Sequence, residues 1–169
     1  EANKGVTLKN CRVDGNVTSF GVAGILIDSL GPIVISGGHA NQNSAYGVYL
    51  DNSAAADAAP KSITISNFKA DHNLGYGIHA LSKGVISLTD VNVKMTTGAS
   101  MAAIDLDNHW LGAGISLSKV TSSENNGEGI NLITNGSLLD DAALTRLTPD
   151  KISIFELPLL SIKRAVHDR

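Results

Sequence analysis

Apolar and polar residues alternate one by one along five short stretches of this chain. They are Val6-Thr7-Leu8, Ile33-Val34-Ile35, Ile63-Thr64-Ile65, Ile86-Ser87-Leu88 and Ile115-Ser116-Leu117. Successive side chains of a strand point to opposite faces, so each stretch predicts a strand with one buried face. The starts lie 27, 30, 23 and 29 residues apart, a spacing that marks a repeat rather than a series of hairpins. A strand this short cannot bury its apolar side alone. Stacking each strand on its equivalent one turn later, about 4.8 Å away, closes a continuous core.

The match extends through the rest of each unit. An apolar or small pair follows the first strand: Cys11 and Val13, Gly38 and Ala40, Phe68 and Ala70, Val91 and Val93, Val120 and Ser122. After a polar bend comes a second alternating strand, whose inward positions are Ile25 and Ile27, Val48 and Leu50, Ile78 and Ala80, Ile104 and Leu106, Ile130 and Leu132. Asn43, Asn73 and Asn125 each stand four residues before a glycine, Gly47, Gly77 and Gly129. Asn bonds nearby backbone and tolerates left-handed geometry, so these side chains predict a ladder through the stacked bends. The fourth unit has no matching Asn, and the ladder should break there. Nothing of helical length and period appears before residue 138.

Three segments carry a resemblance: Asn43-Ser44-Ala45-Tyr46-Gly47-Val48-Tyr49-Leu50, Asn73-Leu74-Gly75-Tyr76-Gly77-Ile78 and Asn125-Asn126-Gly127-Glu128-Gly129-Ile130-Asn131-Leu132. The chain resembles the right-handed parallel β-helix family of pectate-lyase-like architecture over roughly residues 5 to 138. The resemblance implies an all-β solenoid of about five coils. It also implies a position for function, an outer sheet face whose side chains project into a groove holding a polysaccharide. That fold hosts lyases, hydrolases, epimerases, adhesins and tailspikes, so the fold does not name the activity.

The C-terminal part reads differently. All 17 glycines lie at or before Gly136, and Pro149 and Pro158 follow. Leu138 to Leu147 predicts a short amphipathic helix with acids early and Arg146 late, and Ile152 to Leu157 predicts a strand. The expected organisation is a β-helix over 1–138 and a non-repeat cap or arm over 139–169. This tail does not repeat the coil pattern. The chain opens close to a strand with no covering element, and an open rung exposes unpaired backbone. That implies a mature form, a piece of a longer protein, or a homo-oligomer joined through the uncapped end or the tail.

Net charge is −3 with both signs dispersed, and aromatics are sparse, which argues against a nucleic-acid surface. No apolar run reaches the length of a membrane span. Cys11 is the only cysteine, so no internal disulfide forms, and its column of Phe68, Val91 and Val120 reads as core. The abundance of Asn, Ser, Thr and Gly suits an extracellular or cell-surface protein. Asn16-Val17-Thr18 and Asn135-Gly136-Ser137 match the glycosylation pattern.

The alternation also states which side chains face out. On the second strand the outward columns are Leu26, Tyr49, His79, Asp105, Asn131 and then Asp28, Asp51, Leu81, Asp107, Ile133. The outward column of the first strand, Thr7, Val34, Thr64, Ser87, Ser116, has no comparable chemistry. Asp51, His79, Asp105 and Asp107 are therefore the candidate catalytic set. Two carboxylates can hydrolyse a glycosidic bond, and a separation of about 6.5–9.5 Å leaves room for the water of an inverting reaction. Asp105 and Asp107 on one strand lie about 7 Å apart, and Asp51 and Asp107, two rungs apart, about 9.6 Å. Tyr46, Tyr49, Tyr76 and Trp110 are candidate substrate-binding residues, because aromatic rings stack on sugar faces. No resident cofactor is expected, with Ca²⁺ at Asp28, Asp51 and Asp107 as the one metal alternative. Lys61 and Lys83 flank the face but form no lyase motif. Solvated acids on a passive solenoid surface explain the same residues. Three functions follow: a glycoside hydrolase, a structural or adhesive segment, and a sugar-binding module.

Overall fold

The structure, a computed structural model, describes residues 4–17, 23–98, 100–111, 113–141 and 152–156. Twelve strands are found among them: β1 (Val6–Asp14), β2 (Ile25–Asp28), β3 (Ile33–Asn41), β4 (Val48–Asp51), β5 (Ile63–Lys69), β6 (Ile78–Leu81), β7 (Ile86–Lys94), β8 (Ile104–Asn108), β9 (Ile115–Ser123), β10 (Ile130–Thr134), β11 (Leu138–Asp141) and β12 (Ile152–Glu156). Odd strands form one sheet in the order β1-β3-β5-β7-β9-β11, and even strands form a second in the order β2-β4-β6-β8-β10-β12. Every pairing is parallel, which makes the protein a parallel β-solenoid of about five turns. The register joins the five alternating starts, Val6 to Ile33 to Ile63 to Ile86 to Ile115. Ile33, Ile63, Ile86 and Ile115 are fully buried between the sheets with Val48, Ile78, Ile104 and Ile130. Burying each such side chain stabilises the fold by roughly 1.5–3 kcal/mol.

The corners are tighter than separate strands and turns would need. Strands β1, β3, β5, β7 and β9 each run through a first corner without leaving the ladder, and a single residue makes the bend. Asn10, Gly37, Asn67, Asp90 and Lys119, each four residues past the strand start, have positive φ. A second column, Gly15, Gln42, His72, Met95 and Glu124, repeats this nine residues past the start. Left-handed backbone costs a non-glycine residue about 1–2 kcal/mol, and ladder bonds on both sides of the corner hold it there.

Two buried polar columns line the other bends. In the first, Asn43 donates from both its backbone N and its Nδ2 to Asn73 Oδ1, at 3.0 Å each, and Asn73 Nδ2 donates to Ala40 O at 2.9 Å. Thr96 occupies the fourth unit and breaks the amide run, while its N and Oγ1 still bond Asn125 Oδ1. The glycines follow from this packing: a Cβ on Gly47 would lie 2.6 Å from Asn73 Nδ2. The second column, Ser29, Asn52, Ser82, Asn108 and Thr134, has no counterpart in the sequence reading, and all five residues are buried. Where the following turn is short, the hydroxyl accepts from a glycine N two residues on, as Ser29 does from Gly31 and Ser82 from Gly84. Where the loop is longer, an amide reaches across it, Asn52 Nδ2 to Lys61 O at 3.1 Å and Asn108 Nδ2 to Gly114 O at 2.8 Å.

The C-terminal part departs from the expectation of a helix. Leu138–Asp141 is strand β11 and pairs with β9, and residues 142–147 lie outside the described residues. Ile152–Glu156 is a strand as expected, but it pairs with β10, so β11 and β12 continue both sheets by one rung. The free ladder of β9 and β10 offers backbone partners that a local amphipathic pattern cannot register. No helix is present among the described residues, and none is long and apolar enough to cross a membrane. Cys11 is a free thiol, half-buried and packed against the core in the first coil.

Candidate functional site

The outward columns of the even sheet assemble as the alternation requires. Tyr49 pairs with His79, His79 with Asp105 and Asp105 with Asn131, while Asp28 pairs with Asp51 and Leu81 with both Asp51 and Asp107. Tyr46 and Tyr76 enter from the bends two residues before β4 and β6. Their rings join the strand residues in one cluster: Tyr76 stacks on His79 with centroids 4.8 Å apart, Tyr49 lies 5.1 Å from His79, and Tyr46 lies 5.1 Å from Tyr76. All four rings are half-buried. Burial pushes the Tyr49 phenol up from its ordinary value, and Asp51, Tyr46 and Asp28 add to the shift. Burial does the same to Tyr76, with Asp105 and Tyr46 reinforcing it. In both, the neutral phenol is favoured because a phenolate would be poorly solvated beside carboxylates.

Under the rings lies a relay. His79 Nδ1 is 2.8 Å from Asp105 Oδ2, and Asn131 Nδ2 donates to Asp105 Oδ1 at 2.7 Å. An ionised carboxylate only accepts, so the shared hydrogen is assigned to Nδ1, which leaves Nε2 of a neutral imidazole as an acceptor. Asp105 is only 8% exposed and both its oxygens are engaged. Its geometry suits it to hold His79 rather than to meet a ligand.

The other two candidate carboxylates, Asp51 last in β4 and Asp107 next to last in β8, close turns. Asp51 Oδ1 accepts from Ser53 N at 2.8 Å and from Ser53 Oγ at 2.7 Å. Asp107 Oδ1 accepts from His109 N at 3.1 Å and lies 2.5 Å from His109 Nδ1. His109 in turn stacks on Trp110, with centroids 4.1 Å apart. Trp110 therefore forms a second aromatic point, apart from the tyrosines. A further pair, His39 Nε2 with Asp14 Oδ2 at 2.8 Å, is exposed on the other sheet. Lys83 Nζ bonds Asp57 Oδ1 at 2.7 Å and Ala55 O at 3.1 Å, which ties the 52–62 loop to the next turn.

Of the residues singled out from the sequence, Tyr46, Tyr49, Tyr76, His79 and Asp105 come together. Asp51 and Asp107 lie in the adjoining column on either side of Leu81. Among the described residues, no three His, Cys, Asp or Glu side chains converge as a metal site, so Asp28, Asp51 and Asp107 do not form one group. Sequence reasoning passed over Asn131 and His109 as site residues. Asn131 was visible as the rung neighbour of Asp105. His109 was visible as the second residue after an aspartate, where an Asx turn places it.

The chain matches no protein-family model, no curated protein and no solved structure.

Proposed function

We propose that the outer face of the even sheet binds an oligosaccharide or polysaccharide. The observation that carries this reading is the gathering of Tyr46, Tyr49, Tyr76 and His79, with ring centroids 4.8–6.3 Å apart across two rungs. Partly exposed rings with a polar edge offer a pyranose both a stacking surface and hydrogen bonds. His79 Nε2, the ring nitrogen that Asp105 does not engage, supplies an acceptor for a sugar hydroxyl. The reading fits an extracellular or surface protein of pectate-lyase-like type. Calorimetric titration with a glycan panel tests it. Binding that falls at least several-fold in Tyr49→Ala and Tyr76→Ala, with the fold intact by circular dichroism, supports it. Equal affinity in wild type and both variants removes it.

Hydrolysis of a glycosidic bond is the second reading, and the Asp51–Asp107 column favours it. Two rungs place these carboxylates about 9.6 Å apart, near the wide limit of the roughly 6.5–9.5 Å range used by inverting enzymes. One carboxyl would protonate the leaving oxygen while the other activates water on the opposite face. Release of reducing ends from a bound polysaccharide, lost in Asp51→Asn and in Asp107→Asn, is the expected result. Binding without release leaves a non-catalytic sugar-binding or adhesive role.

A further inference from the structure

We infer that the ligand is an uncharged saccharide, a trisaccharide or longer, lying along the strand direction from the tyrosine cluster to Trp110. This deepens the saccharide reading and rests on it. The two aromatic points stand at opposite ends of the even strands. Tyr46 and Tyr76 precede β4 and β6 by two residues, and Trp110 follows β8 by two. Strand β8 alone, from Ile104 to Asn108, spans about 13 Å. One or two sugar rings cannot reach from Tyr46 and Tyr76 to Trp110. Between them the surface offers His79, Leu81 and Asp107, a strip of hydrogen-bonding groups around one apolar side chain.

Charge sets the second half of the inference. Strands β2, β4, β6, β8 and β10 carry Asp28, Asp51, Asp105 and Asp107 and no Lys or Arg. The nearby Lys83 is already paired with Asp57. A uronate chain would set its carboxylates against strands that supply no cation to receive them, whereas neutral hydroxyls can donate to Asp51 and Asp107. Trp110 is 39% exposed beside its stacked His109, so it is open to a ligand.

The chain contains one Trp and three Tyr, and all four belong to the proposed path, so each end has its own optical signal. Titrate the protein with neutral gluco- and xylo-oligosaccharides of increasing length and with an oligogalacturonate. Follow tyrosine difference absorbance and tryptophan fluorescence together. Short neutral ligands should perturb the tyrosines alone. Trp110 should respond from the trisaccharide onward, with a several-fold gain in affinity at that step. Trp110→Ala should weaken longer ligands by roughly tenfold, the loss of one stacking contact, and leave the disaccharide unchanged, with Trp110→Phe restoring most of the gain. Long ligands that move the tyrosines but never Trp110, affinity independent of length, or a uronate bound as tightly as its neutral counterpart would each overturn the inference. Silence at both ends with every saccharide overturns the binding reading itself, and this inference falls with it.

Discussion

His79 Nδ1 and Asp105 Oδ2 meet at 2.8 Å across one rung of the solenoid, though 26 residues separate them along the chain. The contact exists because parallel strands in register stack equivalent positions. It leaves a buried carboxylate dependent on two partners, His79 and Asn131. His79→Ala should therefore destabilise the protein by about 1–3 kcal/mol, the cost of leaving a buried acceptor short of a donor. Urea unfolding checks this. Asp105→Asn tests the proton assignment instead. With Asn131 still donating to the oxygen, the new amide presents N–H to His79, and the imidazole hydrogen should move from Nδ1 to Nε2. Nitrogen chemical shifts of His79 report the tautomer directly, and an unchanged spectrum would contradict the assignment.

Alkaline titration should expose the tyrosine cluster. Both Tyr49 and Tyr76 have phenols raised above 10.0, chiefly by burial. A group whose folded pKa is raised contributes stability that is fully present below its unfolded value and is lost as pH rises through the folded one. Stability should hold up to about pH 10 and then decline as these two phenols are forced to ionise. Because the chain has three tyrosines in all, the phenolate absorbance is dominated by these residues. Tyr49→Phe should soften the alkaline decline, and a free-tyrosine titration curve in the native protein would refute the burial argument.

The asparagine ladder predicts a large effect from a small change. Asn73 is fully buried and makes three bonds, accepting from Asn43 N and Asn43 Nδ2 and donating to Ala40 O. Asn73→Leu takes a partner from Asn43 N and Ala40 O at about 1–3 kcal/mol each and leaves Asn43 Nδ2 only its 3.4 Å bond to Val13 O, so a total loss of roughly 3 kcal/mol or more is expected. Asn73→Thr should cost less, because Thr96 already fills the same column one coil on. Equal losses for the two variants in denaturant unfolding would show that bulk, not bonding, matters there.

Corner residues offer gains rather than losses. Lys119 and Met95 hold φ of 54° and 52°, a region that favours Gly or Asn. Lys119→Asn and Met95→Asn should each stabilise the protein by about 0.5–1 kcal/mol, a fraction of the left-handed penalty. The same change at Ser87, which lies within β7 at no corner, should stabilise nothing. Thermal unfolding of the three variants compares them.

Most of the architecture could be read from residue order. Alternation assigned the first four side chains of β2, β4, β6, β8 and β10 to a face, and the observed partners of Leu26, Tyr49, His79, Asp105 and Asn131 are the expected ones. The break in the asparagine ladder at Thr96 was equally legible. Such features survive translation from sequence because a two-residue period and a repeated bend are local properties, copied from coil to coil.

Other features depend on which partner wins. The amphipathic pattern from Leu138 suggested a helix, yet the unpaired ladder of β9 takes its first residues as β11. The four candidate catalytic groups looked equivalent in sequence, but Asp105 is buried under His79 while Asp51 and Asp107 close turns on Ser53 and His109. Periodicity says which way a side chain points. Whether its oxygens are left for a ligand is settled by competition among hydrogen-bond donors that meet when the coils stack.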